Sequence, residues 1–300
     1  MPLSKTLLAV VLLLSEPLCA QPPATTAWRD GAFHLNTGRV VSESDIILGQ
    51  PNLKAVEALP LGNGRLGVAV WSADGMTIQL NRADTLPHRL SPGQVTIPGL
   101  ARLTHAADYA GRLDLYNGAF IERGGGMSAT VYVQPQSDTL IVNVTGADPS
   151  QPQTATLQLW EPRAPKASAH SAVGILAETW LDNVDPGASG ERFGSLAAIT
   201  AEGRNVTASV THSRAVTLTV TPDANGSFRI LIAAPHYTET GDAAGIAATA
   251  LADRTPSAHV AWWNAYWQRA GIIPRYAKWP DGRFCDTTVL YKEMRRQSVE

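Results

Sequence analysis

The chain has 300 residues, of which 44% are hydrophobic and 17% are charged, and its formal net charge is −2. This composition is typical of a folded globular protein and argues against intrinsic disorder. Because no basic block is present, the sequence also argues against nucleic acid as a partner. The length is sufficient for one large domain or two smaller ones.

The first twenty residues have the layout of a secretory signal peptide. One basic residue, Lys5, precedes an apolar run over residues 7–14, and Leu18-Cys19-Ala20 follows. The run is too short for a membrane span, which needs about 20 residues. We therefore expect a secreted or periplasmic protein, cleaved after Ala20 and free of the membrane afterwards. A retained anchor is the less favoured alternative.

Neither cysteine nor histidine spacing indicates a metal or cofactor. Removal of the signal peptide would leave Cys285 as the single cysteine, which excludes an internal disulfide and a cysteine-based metal site. The seven histidines show no H-E-x-x-H pattern and no i, i+4 pair. We expect no metal and no cofactor.

Residues 21–240 predict a mainly β fold, a large antiparallel β-sandwich. The segments "GVAVW" and "MTIQL" flank Asp74-Gly75 and predict a hairpin over residues 67–81. The segments "SATVYVQ" and "TLIVNVT" flank "PQSD" and predict a second hairpin. Alternating β-branched residues with frequent turn signals are typical of a sandwich. Further strands are predicted at "TATLQLW", "SLAAIT", "NVTASVT", "AVTLTVT" and "SFRILIA".

Residues 241–272 predict a short helical linker. An Ala-rich segment, "GDAAGIAATALADR", is followed by "TPSAHVAWWNAYWQRAG". In the second segment Thr255 is a candidate N-cap, Pro256 suits the first helical position and Gly271 is a stop signal. Helical spacing places several apolar residues on one side, which we expect to face a core. These residues are Val260, Trp263, Trp267 and Ala270.

The segment "LGNGRLG" carries Gly62, Gly64 and Gly67 in the spacing G-x-G-x-x-G of a phosphate-binding loop. A dinucleotide site needs a strand before this motif and a helix after it. Here Pro60 precedes it and the strand-like "VAVW" follows it. The context therefore predicts a tight turn leading into a hairpin, where glycine permits a positive φ.

Three landmarks in this sequence resemble glycoside hydrolase family 95, whose members are mostly α-L-fucosidases. The first is "ALPLGNGRLGVAVW" with "IQLNRADTL", the second is "YAGRLDLYNGAF" and the third is "HVAWWNAYWQRAGI". They occur in the family's order over residues 58–272. Arg82-Ala83 replaces the usual acidic pair, and Pro87 replaces a tryptophan. A related six-hairpin glycosidase of another specificity therefore stays an open alternative.

The resemblance implies a β-sandwich and a helical linker, followed by an (α/α)6 barrel that carries the catalytic carboxylates and inverts the anomeric carbon. Residues 273–300 would begin that catalytic region, and the barrel itself is absent from these 300 residues. We therefore expect no catalytic residue here and no activity of the chain alone. The other carboxylates show no pairing in their spacing: Glu161, Asp182, Asp185, Glu191, Glu293 and Glu300.

Polar residues beside the glycine turn are the predicted substrate-binding residues at the rim of that barrel. They are Asn63, Arg65, Asn81 and Asp84. The resemblance implies two partners, a fucosylated or related glycan and the protein's own catalytic barrel. Aromatic residues that could stack on a sugar are Trp28, Trp71, Trp160 and Trp180.

Two other functions are compatible with the sequence. The chain could be a stand-alone β-sandwich that binds carbohydrate without cleaving it. It could also be a non-functional remnant whose linker helix lacks its docking partner, in which case exposed Trp262, Trp263 and Trp267 would promote association.

Overall fold

Two antiparallel sheets packed face to face form most of the structure, which is a computed structural model. It describes residues 28–29, 32–33, 36–73, 75–85, 90–183, 187–238, 242–252 and 256–269. The predicted signal peptide, the N-cap Thr255, the stop Gly271 and residues 273–300 lie outside the described residues. The prediction of a mainly β sandwich is confirmed.

Strands are numbered in chain order. The nine-stranded sheet has, in spatial order, β13 (Lys166–His170), β14 (Val173–Leu181), β15 (Arg192–Glu202), β18 (Phe228–Ala233), β11 (Thr139–Thr145), β10 (Met127–Val133), β9 (Ala119–Gly124), β8 (Ala110–Asp114) and β3 (Ile46–Leu48). The seven-stranded sheet has β16 (Arg204–His212), β17 (Ala215–Thr221), β12 (Gln153–Gln158), β7 (Gly93–Ile97), β6 (Met76–Arg82), β5 (Leu66–Trp71) and β4 (Leu59–Gly62).

The remaining elements are short. A two-stranded sheet joins β1 (Trp28–Arg29) to β2 (Ala32–Phe33). Helices are α1 (Thr37–Ser42), α2 (Ala101–Thr104), α3 (Ala243–Ala250) and α4 (Pro256–Arg269), with single 3-10 turns at Ala55–Glu57 and Pro98–Leu100. None of the described helices is both long and apolar enough to cross a membrane.

The core lies between the two sheets because each strand alternates apolar and polar residues. On β5, for example, Leu66, Val68 and Val70 are buried, whereas the residues between them are half-buried on the other face. Each fully buried side chain of this size contributes about 1.5–3 kcal/mol through removal of apolar surface from water. Both predicted hairpins are present, as β5–β6 and β10–β11.

Helix α3 covers part of the outer face of the nine-stranded sheet. Its Ala247 and the adjoining Leu251 pack against Leu196, Ala198 and Leu231 on that face. Asp242 caps the helix by accepting hydrogen bonds from the first free backbone N–H groups. The Ala-rich segment therefore forms the predicted helix and buries one side of it.

The glycine motif is the turn between β4 and β5. Gly62 and Gly67 are cross-strand partners, and Gly64 between them has φ +90°. A Cβ on Gly62 would lie 2.9 Å from the carbonyl oxygen of Leu66, so the close strand approach also requires glycine there. A strand follows Gly67 and not a helix, which confirms the predicted turn and excludes a phosphate-binding loop at this motif.

A polar chain crosses the core between the two sheets. Glu122 on β9 is fully buried, and its Oε1 lies 2.5 Å from Ser72 Oγ at the end of β5 and 2.7 Å from the hydroxyl of Tyr109. Ser72 Oγ also lies 2.9 Å from Asn52 Oδ1. Asn52 Nδ2 donates to two backbone carbonyls, which fixes Oδ1 as an acceptor.

A proton count favours an uncharged Glu122. Ser72 has one hydroxyl proton, which it donates to Asn52, so the short contact with Glu122 needs a second proton. A protonated Glu122 supplies it by donating to Ser72 and accepts the hydroxyl of Tyr109. Burial raises the pKa of Glu122, and its contacts with Ser72 and Tyr109 only partly oppose that rise. Its Oε2 is buried and has no partner among the described residues, which also favours the uncharged form.

The neutral carboxyl predicts that the protein loses stability as pH rises. A raised folded-state pKa gives a contribution that is complete below the unfolded value of 4.5 and declines above it, by about 1.4 kcal/mol per pH unit up to the folded-state pKa. Glu122→Gln, whose amide mimics the protonated acid, should abolish this decline. Urea unfolding between pH 4 and pH 9 measures it. Glu161→Gln, at an exposed carboxylate, is the control and should keep the wild-type slope. Equal slopes for wild type and Glu122→Gln would contradict the proton count.

Candidate functional site

Three of the four predicted binding residues meet at one end of the sandwich. Arg65 lies on the β4–β5 turn, Asp84 follows β6, and Asn63 faces the loop between β10 and β11. Arg65 and Asp84 form ion pairs with Asp138 and Arg82, and we call these four charged residues the charge cluster. Asn63 lies beside them. The cluster joins the ends of both sheets.

Arg82 is the centre of the charge cluster, and its side chain is only 1% exposed. Its Nε and Nη2 each donate to one oxygen of Asp84 at 2.7 Å, a bidentate pair. Its Nη1 donates to Asp138 Oδ2 at 2.7 Å and to the carbonyl oxygen of Ala234. Since Asp138 and Ala234 belong to the nine-stranded sheet, one guanidinium ties the two sheets together.

Arg65 completes the cluster from the solvent side. Its Nε donates to Asp138 Oδ1 at 2.9 Å, and its Nη2 donates to the carbonyl oxygen of Gln136 at 3.2 Å. Asp138 is thus held between a buried arginine and an exposed one, and both of its oxygens accept charged hydrogen bonds. The Arg65 side chain stays 54% exposed and is accessible to a ligand.

Asn63 is a structural residue of the turn. Its Nδ2 donates to the carbonyl oxygens of Gln134 at 2.9 Å and Ser137 at 3.0 Å. Its Oδ1 accepts from the backbone N–H groups of Arg65 at 3.0 Å and Leu66 at 2.9 Å. These four bonds close the turn and attach it to the β10–β11 loop, which leaves little capacity for a substrate.

The ion pairs keep both aspartates ionised at neutral pH. The hydrogen bonds from Arg82 lower the pKa of Asp84. Burial by itself would raise the pKa of Asp138, but the hydrogen bonds and charges of Arg82 and Arg65 together outweigh it and lower that pKa. Neither aspartate therefore acts as a general acid near neutral pH, and the cluster is suited to binding and not to proton transfer.

Asn81 does not join the cluster. It is exposed on β6, one residue before the inward-pointing Arg82, so its side chain lies on the outer face of the seven-stranded sheet. Sequence reasoning also missed Arg82, which replaces an acidic residue of the family pattern, and Asp138. The turn sequence "PQSD" marks a hairpin end but does not reveal which distant residues pair with its aspartate.

A cleft of about 530 Å³ lies beside the charge cluster. Its walls combine the polar β10–β11 loop with one side of α3, and Arg65 and Asp138 stand at its edge. The lining residues are Arg65, Gln136, Ser137, Asp138, Pro235, Asp242, Gly245, Ile246, Thr249 and Ala250. An exposed guanidinium at the edge of an open cleft offers several hydrogen-bond donors to a polar ligand.

Helix α4 is fastened to the turn between β8 and β9 by side-chain hydrogen bonds. Trp267 Nε1 donates to the carbonyl oxygen of Leu115 at 2.6 Å, and Asn264 Nδ2 donates to that of Tyr116 at 3.0 Å. His259 Nε2 lies 2.8 Å from the carbonyl oxygen of Asn117. Burial lowers the pKa of His259, so the neutral ring donates this bond.

The fastened side of α4 includes two of the predicted residues, Trp263 beside Gly118 and Trp267, but not Val260. Val260 is 42% exposed, whereas His259 is buried against Tyr132, with ring centroids 4.4 Å apart and an interplanar angle of 41°. The apolar pattern predicts docking by hydrophobic contact. The β8–β9 turn instead presents backbone carbonyl groups, which accept hydrogen bonds from donors on α4. Trp262 and Tyr266 stack with an 8° interplanar angle and remain partly exposed on the other side. Ala270 lies outside the described residues.

Other predicted candidates have ordinary surroundings. Trp160 is 46% exposed, and the guanidinium of Arg163 lies 6.0 Å from the ring centroid of Trp180. Glu161 forms an exposed ion pair with Arg214. Among the described residues no group of three or more His, Cys, Asp or Glu could hold a metal ion. Asp185, Glu293 and Glu300 lie outside the described residues.

No model of a known protein family matches the sequence, and no curated protein matches it. The fold is similar to a "putative kojibiose phosphorylase" from the human microbiome, with 10% identity, a TM-score of 0.45, and coverage of 76% of this chain and 38% of that one. A family GH92 α-mannosidase from Bacteroides thetaiotaomicron, solved with mannoimidazole, has 10% identity, a TM-score of 0.40, and coverage of 74% and 35%. A bacterial glucoamylase complexed with acarbose has 10% identity, a TM-score of 0.35, and coverage of 75% and 41%. This chain spans about two fifths of each of these structures.

Replacement of Arg82 tests its role as the bridge between the sheets. Arg82→Met should lower the free energy of unfolding by about 3 kcal/mol. This is the lower end of the loss expected when one partner of a buried ion pair is removed, because the Asp84 side chain is 43% exposed. Arg65→Met is the control and should cost less than about 1 kcal/mol, because that pair is largely hydrated. Urea unfolding at pH 7 compares them. Equal losses would show that Arg82 is not the principal bridge.

The attachment of α4 is tested at Gly118, where φ is +61° and an added Cβ would lie 2.2 Å from the ring of Trp263. Gly126, with φ +77° and open space around it, is the matched control. Gly126→Ala should cost about 1 kcal/mol through backbone strain. Gly118→Ala should cost about 3 kcal/mol and increase proteolytic cleavage within residues 256–269, since overpacking adds to the strain. Equal costs and unchanged cleavage would argue against a tight attachment.

Proposed function

We propose that the chain is the N-terminal β-sandwich portion of an exported glycoside hydrolase with α-L-fucosidase-like specificity. In this proposal an (α/α)6 barrel following the linker helix performs the hydrolysis, with inversion at the anomeric carbon. The sandwich supports the barrel and contributes polar residues to the rim of its active site. The signal-like first twenty residues support export.

One observation carries the proposal: two of the three sequence landmarks of the family contact each other in the fold. Helix α4, the third landmark, binds the β8–β9 turn of the second landmark through His259, Asn264 and Trp267. Within the first landmark, the glycine turn and Arg82 both bind Asp138. Hydrogen bonds therefore join the second landmark to the third, and Asp138 joins the two segments of the first landmark.

The free side of α4 supports a domain that follows it. Trp262 and Tyr266 are each more than a third exposed and stack on each other, on a helix whose opposite side is already bound to the sandwich. Exposed aromatic residues in a contiguous group are typical of a protein contact. A barrel continuing from α4 would bury this group, whereas the sandwich alone leaves it in water.

Extension of the reading frame beyond residue 300 tests the function. We expect the extended protein to hydrolyse p-nitrophenyl α-L-fucoside and the 300-residue chain alone to be inactive. Proton NMR of the first-formed sugar would reveal inversion. Hydrolysis of another glycoside alone would retain the hydrolase and reject the fucosidase specificity. Activity of the 300 residues alone, or an extended protein inactive on a panel of α- and β-glycosides, would contradict the proposal.

The rim hypothesis is tested by substitution in the extended protein. Arg65→Ala removes the exposed donor at the cleft and should lower kcat/KM about tenfold, equivalent to about 1.4 kcal/mol of transition-state binding. Its partly hydrated ion pair predicts little loss of stability. Thr145→Ala, at an exposed position of the nine-stranded sheet, is the control and should leave kcat/KM unchanged. An unchanged kcat/KM for Arg65→Ala would remove the rim hypothesis.

A stand-alone carbohydrate-binding module is the second candidate. It is favoured by the outer face of the seven-stranded sheet, which carries hydroxyl and amide groups and no charge. Tight glycan binding by the 300-residue chain, together with an inactive extended protein, would favour this candidate.

A further inference from the structure

The outer face of the seven-stranded sheet has an unusual composition. We call it the Thr–Gln face and define it by the outward residues of β5, β6, β7, β12 and β17. These are Gly67, Ala69, Trp71, Thr77, Gln79, Asn81, Gln94, Thr96, Thr154, Thr156, Gln158, Thr217, Thr219 and Thr221. Their neighbours along each strand point into the core.

None of these residues is charged. A protein surface with about 25–35% charged residues would place about four charges among them. Charged residues are also the usual means by which exposed sheets avoid association. At the chain's own proportion of 17% charged residues, about two charges would be expected among these residues.

The side chains are aligned in rows across the strands. One row contains successive cross-strand partners in register, namely Trp71, Thr77, Thr96, Thr156, Thr217 and Ser209. Five spacings of about 4.8 Å make this row about 24 Å long. A parallel row contains Gln79, Gln94 and Gln158. The face is thus a regular array of hydroxyl and amide groups.

Several of these groups are free to bind a ligand. The hydroxyl group of Thr96 forms no hydrogen bond with any described residue, and Thr156 bonds only to the neighbouring Thr217 at 3.0 Å, whereas Thr77 is buried. Gln94 Nε2 donates to Gln79 Oε1 at 3.3 Å, which leaves the carbonyl oxygen of Gln94 available. Hydroxyl and amide groups both donate and accept, as the hydroxyl groups of sugars do.

No described α-helix covers the Thr–Gln face. Helix α3 packs on the nine-stranded sheet, and α4 binds the β8–β9 turn. The nine-stranded sheet is apolar on its outer face where α3 covers it, with Ile175, Leu196 and Leu231 buried there. The two sheets therefore differ: one outer face is built for burial by the chain itself, and the other is built to remain hydrated.

We infer that the Thr–Gln face binds an uncharged polysaccharide chain along its threonine row, with Trp71 as a stacking surface at one end. A neutral ligand requires no charged partner, and the residues that define the Thr–Gln face include no charged side chain. Each bond to a sugar hydroxyl replaces a similar bond to water, so affinity arises from many aligned contacts and from stacking on Trp71. This site is separate from the cleft beside the charge cluster and does not require the catalytic barrel.

A second copy of this chain fits the face less well. The cores of homodimer interfaces are about 65% apolar, and Trp71 is the single large apolar residue of this face. The defined residues include no cation, and the guanidinium of Arg204, the cross-strand partner of Thr221 on β16, is bound to the backbone carbonyl groups of Pro222 and Pro149. The composition therefore favours a neutral glycan over the other partners.

Affinity electrophoresis of the 300-residue chain in native gels tests the inference. The probes are galactomannan, xyloglucan and mixed-linkage β-glucan, with polygalacturonate as the anionic comparison. We expect retardation by at least one neutral polymer and none by polygalacturonate. Thr96→Glu/Thr156→Glu should weaken the retardation at least tenfold, whereas Thr96→Ser/Thr156→Ser, which keeps both hydroxyl groups, should stay within twofold of wild type.

Matched controls separate binding from folding. Thr145→Glu introduces the same charge on an exposed position of the nine-stranded sheet and should bind as wild type does. Circular dichroism and urea unfolding verify the fold of each variant. If the double glutamate variant unfolds, Trp71→Ala tests the inference in its place and should weaken retardation by the neutral polymer at least fivefold.

Three results would overturn the inference. They are no retardation by any neutral polymer, equal retardation of wild type and folded Thr96→Glu/Thr156→Glu, and concentration-dependent dimerisation in sedimentation velocity that this variant abolishes. The last would assign the face to a second copy. Because binding is measured on this chain alone, an inactive extended protein would reject the proposed hydrolase and leave the result for the Thr–Gln face intact.

Discussion

The buried guanidinium of Arg82 is the interaction on which this end of the sandwich depends. It extends from the seven-stranded sheet and binds two groups of the nine-stranded sheet, Asp138 and the carbonyl oxygen of Ala234. Apolar packing between sheets is not directional, but these bonds have fixed geometry and so define how the sheet ends align. The Ser72–Glu122 contact provides a second polar connection deeper in the core, where both groups are uncharged.

The outer faces of the two sheets differ in chemistry and therefore in what they contact. The nine-stranded sheet has apolar outward residues that α3 buries, and its β8–β9 turn offers carbonyl groups that α4 binds. The seven-stranded sheet has threonine and glutamine outward, which favour strand formation on a wet surface. The sandwich therefore faces its own helices on one side and solvent on the other.

Sequence patterns predicted the strands well because alternation has a period of two and each strand reports its own burial. Residue contacts across the chain were harder. Polarity beside glycine predicts Asn63, Arg65 and Asp84, and these residues do converge, but Asn81 is directed away by the alternation of β6. Asp138 and Arg82 lie 56 positions apart and no local pattern links them. On α4 the apolar pattern indicates Trp267 but not His259 and Asn264, because the turn carbonyl groups that receive the helix require donors.

The β4–β5 turn has one more consequence, for the engineering of this protein. Most hairpin tips project into solvent and accept inserted residues or new chain ends with little cost. Here Asn63 closes the tip from within and ties it to the loop at residues 134–138, so added length would detach two segments at once. Tags, permuted termini and grafted loops belong at other turns, such as the one at Gly126, where space is open.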